Sequence, residues 1–164
     1  MRAIRRNQET PVPARYRSFI SRCRARGVRI TCQRLAVFEA LAEDRNHPSA
    51  EAVYAKVRKT MPSLSLSTVY RILESLQSKG LIRRVSAQDD AARFDAKLEP
   101  HQHLNCRICG RMIDFEEASL SRLRLPDARS AGFVPERLDI RVVGTCRACR
   151  RSQPNATHYP KEES

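Results

Sequence analysis

Two cysteine pairs, Cys106-Arg-Ile-Cys109 and Cys146-Arg-Ala-Cys149, stand 36 residues apart. Two thiolates three positions apart can close on one ion. Two such knuckles supply the four soft donors of a tetrahedral Zn²⁺ site. Zinc held by Cys106, Cys109, Cys146 and Cys149 would be structural, lending folding energy to a unit too small to be robust alone. A thioredoxin-like redox pair is the competing chemistry, but it leaves the other pair without a task. Just before the first knuckle, His101-Gln102-His103 sets two imidazoles at i and i+2, on one side of an extended chain. His47 lies upstream, and Asp95 and Asp114 flank the pair. Three imidazoles and two carboxylates suit Fe²⁺ or Mn²⁺, and can suit Zn²⁺. A lone surface histidine is more often inert. Spacing alone leaves open whether histidines and cysteines form one metal site, two, or none.

These residues need elements to hold them. Residues 14–26 carry Tyr16, Phe19, Ile20 and Cys23 at helical spacing, and Gly27 suits the position just past a helix end. Thr31 is a candidate N-cap for a helix over 32–42, with Leu35, Phe38 and Leu41 on one face. Pro48-Ser49 opens a third helix with Ala50, Val53 and Val57 inward, and Pro62 ends that region. A fourth helix over 66–79 turns Val69, Ile72, Leu73 and Leu76 inward and stops at Gly80. The period then changes. Residues 81–85 read as a strand, 86–91 as a turn and 92–95 as the returning strand. Helices followed by a two-stranded hairpin have the sequence shape of a winged helix, whose last helix lies in the DNA major groove. Ser67, Thr68, Tyr70 and Arg71 on that helix, with Ser75 and Ser78, face outward as candidate DNA contacts. Arg83 and Arg84 of the hairpin join them. The competing view is that Ser67 only caps the helix and Arg71 only solvates it.

Beyond residue 96 the pattern is richer in strands. Residues 104–106 and 112–115 read as strands around the first knuckle, 118–128 as a short helix broken by Pro126, and Leu138, Ile140 and Val142 alternate as in a strand. A polar tail begins near Arg151. The domains read as 1–95 with a basic N-terminal extension, 96–150, and a tail over 151–164.

The formal net charge of the 164 residues is +13. It is concentrated in residues 1–95, with 19 Lys+Arg against 9 Asp+Glu, which points to a polyanionic partner. Aromatics are few, so a stacking platform for single strands is not expected. No apolar run nears the roughly 20 residues of a membrane span, and the basic N-terminus lacks the apolar segment of a secretory signal. A cytoplasmic protein without a membrane partner is expected. In that compartment six cysteines suggest metal or redox chemistry more than disulfides. Cys23 reads as a core residue, and Cys32 has no assigned role.

In order along the chain, GVRITCQRLAVFEAL, HPSAEAVY, LSLSTVYRILESLQSKGLI, RFD, HQHLNCRICGRMIDF and GTCRAC cover about residues 27–150. This series resembles the ferric uptake regulator family of bacterial metal-dependent repressors. The resemblance implies an α+β fold: an N-terminal winged-helix DNA-binding domain and a C-terminal α/β dimerisation domain with a four-cysteine zinc site. It implies a homodimer on a double-stranded operator with two-fold symmetry, and no small organic substrate or enzymatic turnover. It also implies a regulatory Fe²⁺ or Mn²⁺ at His47, Asp95, His101, His103 and Asp114. Aspartate at both carboxylate positions looks like the peroxide-sensing branch, in which His47 and His101 would be the oxidised ligands. The alternatives are an iron- or other metal-uptake repressor on the same fold, and a constitutive zinc-ribbon nucleic-acid binder. A zinc nucleobase deaminase is disfavoured, because it needs a Glu two residues after the ligand His and a Pro before the first Cys. Two departures from the family stand out. Leu138 lies near a position often held by histidine, so a second exchangeable metal is not expected, and Cys32 replaces a usual proline.

Overall fold

The structure is a computed structural model and describes residues 14–86 and 92–152. The N-terminal extension, most of the hairpin turn, and the tail beyond residue 152 lie outside the described residues. Four helices come first: α1 (Ala14–Ala25), α2 (Cys32–Ala42), α3 (Ala50–Val57) and α4 (Leu66–Ser78). Each of the last three starts on a hydroxyl cap that accepts a main-chain N–H: Thr31 from Arg34, Ser49 from Ala52 and Ser65 from Thr68. The cap of α4 is therefore Ser65 rather than Ser67. An antiparallel hairpin follows, β1 (Arg83–Ser86) and β2 (Ala92–Asp95), with Arg83 opposite Asp95.

Helices and hairpin share one core. Phe19 of α1 stacks on Phe38 of α2 at 3.6 Å between ring centroids. Val53, Val57, Val69, Leu73 and Leu76 are fully enclosed. The inward faces of α3 and α4 are those read from the sequence. Leu81 and Ile82 do not begin the strand. Both are buried and plug the core beneath Gly80, which ends α4 with φ 61°. That left-handed backbone suits glycine.

The second unit is a three-stranded sheet in the order β4-β3-β5. It contains β3 (Gln102–Cys106), β4 (Met112–Phe115) and β5 (Arg141–Gly144). β3 pairs antiparallel with β4 and parallel with β5. Its helices are short: α5 (Ala118–Ser121) and α6 (Arg147–Ser152).

Two expectations for this half need correction. The helix over 118–128 ends at Ser121, and only a 3₁₀ turn at Arg129–Ala131 follows. Leu123 and Leu125 are 55% and 42% exposed, so no buried apolar stripe offsets the ordering of a longer helix, and Pro126 opposes one. The strand expected around Leu138 begins at Arg141, with His103 N–H already bonded to Ile140 O at 3.2 Å. α6 runs from the second knuckle through Ser152, where the described residues end.

Candidate metal centres

The four knuckle thiols come together at the end of the sheet. β3 ends on Cys106, the turn before β4 carries Cys109, and Cys146 and Cys149 lie at the start of α6 beyond β5. One sulfur from each lies within 4.8 Å of all the others. Cys109 Sγ and Cys146 Sγ are 3.8 Å apart, and the main-chain N–H of Cys146 donates to Cys106 Sγ at 3.3 Å. Burial raises the Cys106 thiol pKa. The main-chain N–H groups of Cys146, Cys109 and Ile108 outweigh that and bring it down to about 6. Cys149 is pushed up to about 12, chiefly by its hydrogen bond with Cys109 and then by Cys146. Four sulfurs that close, with N–H donors around them, are the donor set of a structural zinc.

The second centre draws on both units. His47 lies in the loop between α2 and α3 and is the one described non-glycine residue with positive φ, 51°. Such a conformation is uncommon for histidine and needs support from its surroundings. β2 provides it. Arg93 Nη1 donates to His47 O at 3.5 Å, and Phe94 N–H donates to Pro48 O at 3.2 Å. On the other side, Asn46 takes a hydrogen bond from Arg111 Nε at 3.2 Å, tying the loop to the residue before β4. The loop is thus clamped between the hairpin and the sheet.

His47, His101, His103 and Asp114 each turn one ligand atom into a space where all lie within 4.8 Å of one another. Asp114 Oδ1 is 2.7 Å from His47 Nε2, 3.4 Å from His101 Nε2 and 4.0 Å from His103 Nε2. Asp95 closes the set from β2, its Oδ2 3.2 Å from His101 Nε2. His101 and His103 approach through their Nε2 atoms at 3.0 Å, and His101 Nδ1 is fixed by Glu99 O at 2.8 Å. That second contact leaves Nε2 free to act as a ligand.

Two buried atoms test whether an ion fits. His47 Nε2 and Asp95 Oδ2 have no hydrogen-bond partner. The 2.7 Å approach of Asp114 to His47 is close but not aligned as a hydrogen bond. Buried polar atoms normally find partners, so these two aim at something else. Imidazole nitrogens and carboxylate oxygens converging on one point fit a divalent cation. Burial, followed by the charges of His47 and His101, lowers the His103 pKa to about 4, so its imidazole is neutral. Burial raises that of Asp95. All five expected ligands are therefore neighbours. An open cleft of about 910 Å³, lined by His47, Asp95 and Asp114 with Asn46, Lys97 and Arg111, leads to them.

The expected DNA contacts lie on the outer face of α4 and on β1. Ser67 and Arg71 are exposed, and Thr68 is half-buried. Ser65 Oγ sits 2.9 Å from both Ser67 Oγ and Thr68 Oγ1, and Arg71 Nη2 donates to Thr68 Oγ1 at 3.5 Å. The Tyr70 hydroxyl hydrogen-bonds Glu51 of α3. Arg84 is exposed, whereas Arg83 is half-buried beside Arg137 at the edge of the second unit. Sequence reasoning missed Lys97, Asn46 and Arg111, which surround the histidine site. Nothing in their types or spacing marks them.

Comparison with known proteins agrees with this architecture. The chain is 32% identical over 127 residues to the peroxide operon regulator of Bacillus subtilis (strain 168), covering 77% of this chain and 88% of that protein. It is 28% identical over 131 residues to the peroxide-responsive repressor PerR of Staphylococcus aureus, covering 80% and 88%. Among solved structures it is similar to a zinc-bound manganese uptake regulator, at 30% identity and a TM-score of 0.59 over 77% of this chain and 98% of that one. It is also similar to the Campylobacter jejuni peroxide stress regulator, at 26% identity and a TM-score of 0.62 over 82% and 98%. The profile of the ferric uptake regulator family matches residues 25–143, and the chain belongs to that family.

Proposed function

We propose that this protein is a metal-dependent, DNA-binding transcriptional repressor that works as a homodimer in the cytoplasm and responds to peroxide. The observation that carries the reading is the composition of the histidine site. His47 and Asp95 come from the helical unit and its hairpin, while His101, His103 and Asp114 come from the sheet unit. An ion bound there favours one placement of the DNA-binding unit over others, and so shifts the population toward it. Zn²⁺ at the four cysteines holds the sheet unit together, and Fe²⁺ or Mn²⁺ at the histidines acts as the signal-reading ion.

Five protein ligands would leave a six-coordinate ion able to take one small ligand. Fe²⁺ in the site would supply the electron that activates peroxide, and Mn²⁺ would not. The chain's own part is to hold three imidazoles against the ion, to give it access through the cleft, and to place His47 and His101 where an oxidant formed there would meet them first. The likeness to the Bacillus subtilis and Staphylococcus aureus regulators supports the peroxide signal. Ser67, Thr68, Tyr70, Arg71, Arg83 and Arg84 form the DNA-facing surface, and a dimer presents two such surfaces to a two-fold symmetric operator. The dimer face draws on β5, an edge strand with Val142 and Val143 exposed, and on exposed Leu123, Phe133 and Val134.

A second reading, a metal-uptake repressor, is favoured by the likeness to the manganese uptake regulator. One experiment separates them. Fe²⁺-loaded protein on operator DNA is treated briefly with H₂O₂, and release is followed together with peptide mass mapping. Release with one oxygen gained at His47 or His101 supports the peroxide reading. Retention on DNA, or release without that gain, refutes it.

A further inference from the structure

We propose that Lys97 sets the coordination number of the histidine site by engaging the outer oxygen of both carboxylates, holding Asp95 and Asp114 to one ligand oxygen each. The proposal rests on the metal-site reading above. Lys97 reaches the two aspartates in different ways, through its main-chain N–H at Asp95 and through its ammonium at Asp114. Asp95 Oδ1 accepts the main-chain N–H of Lys97 at 2.7 Å, while Oδ2, buried and without a hydrogen-bond partner, faces His101 Nε2 at 3.2 Å. Asp114 turns Oδ1 toward the three imidazoles and Oδ2 toward Lys97 Nζ, 3.8 Å away. The ammonium is anchored by Glu116 Oε1 at 2.6 Å, which keeps it beside β4. Two carboxylates from different strands thus point one oxygen inward and offer the other to a single residue.

A free carboxylate can supply one oxygen or two to a hard cation. Were both aspartates bidentate, they and three imidazoles would offer seven donors, more than an octahedral ion accepts. With Lys97 in place they offer five and leave one position for a small ligand. That position has a route to solvent, because the cleft that Lys97 lines opens on the same carboxylates. Outer-shell partners of this kind orient metal ligands and are not interchangeable with surface ion pairs. Lys97 is a positioning residue and touches no substrate.

The test is Lys97→Met in the full chain, with zinc content checked. The change keeps the stem and the main-chain bond to Asp95 but frees Asp114 Oδ2. Mn²⁺ is titrated in, and the water-proton relaxivity per bound ion reads whether the ion carries an exchangeable water. Lower relaxivity in K97M, with wild-type relaxivity kept by K97R, supports the proposal. Equal relaxivity in K97M and wild type overturns it, as does a K97M protein that keeps its zinc but binds no Mn²⁺. If wild type itself binds no more Mn²⁺ than His101→Ala, the underlying site reading fails, and the proposal fails with it.

Discussion

Zinc removal should unfold the sheet unit and spare the helical one. The two halves are stabilised by different means. Nineteen buried apolar residues form the cluster shared by the helices and hairpin. Outside it, the buried apolar residues among those described are Cys106 and Met112 alone. Burying one large apolar side chain is worth about 1.5–3 kcal/mol. A structural zinc on four thiolates contributes on the order of 10–16 kcal/mol. The metal therefore outweighs the apolar core of the sheet unit several times over, while the helical unit stands on its own core. The perturbation is Cys106→Ser, or chelation, with zinc loss verified by metal analysis. Hydrogen exchange read by mass spectrometry is the assay. Peptides over 102–106, 112–115 and 141–144 should lose protection, while those over 69–76 keep theirs. Strand amides that stay protected in verified zinc-free protein would refute the argument, because the sheet would then draw its stability from something other than the metal, the proposed dimer face included.

Other outcomes follow from single contacts. Arg111→Ala removes the hydrogen bond to Asn46 and should weaken Mn²⁺ binding severalfold, as expected for a bond worth about 1 kcal/mol, without changing zinc content. Unchanged affinity by titration calorimetry would show that the His47 loop stands without it. Arg71→Ala should weaken binding to every DNA sequence alike and reduce the salt slope by about one; a slope equal to wild type would remove Arg71 from the phosphate contacts. Burial pushes the Cys23 thiol up, and Cys32 is exposed at the start of α2. Iodoacetamide on native, zinc-loaded protein should therefore label Cys32 and leave Cys23 intact by mass mapping. Labelling of Cys23 before Cys32 would mean that the helical core opens more readily than its packing implies.

The helical half was legible because its signals are local. Thr31, Ser49, Val53, Val69 and Leu73 sit at cap or core positions that a 3.6-residue period makes visible. The knuckle cysteines were legible because thiolate spacing is itself chemistry. The second half was harder to read. Its residues from 122 to 140 are largely exposed, so Leu123, Leu125 and Leu138 carry apolar character that this chain does not bury, and apolar periodicity there misled. The convergence of His47 with His101 depends on a loop in an unusual backbone conformation crossing to another unit, which spacing cannot encode. The resemblance to the family supplied that link, and the geometry agrees with it. Lys97 escaped because its task is defined only by the two aspartates around it.

β3 is the middle strand of the sheet, and together with the residue before it carries candidate ligands of both centres, from His101 to Cys106. Successive side chains on a strand alternate faces, so the imidazoles at 101 and 103 and the thiolate at 106 belong to opposite sides. Inserting or deleting one residue between them would turn one set of ligands away from its ion. The two centres are thus locked together as a matter of heredity as well as mechanics. A point substitution at 104 or 105 leaves the alternation of faces intact, whereas a change of length there does not, and the spacing should prove more constrained than those two residues themselves.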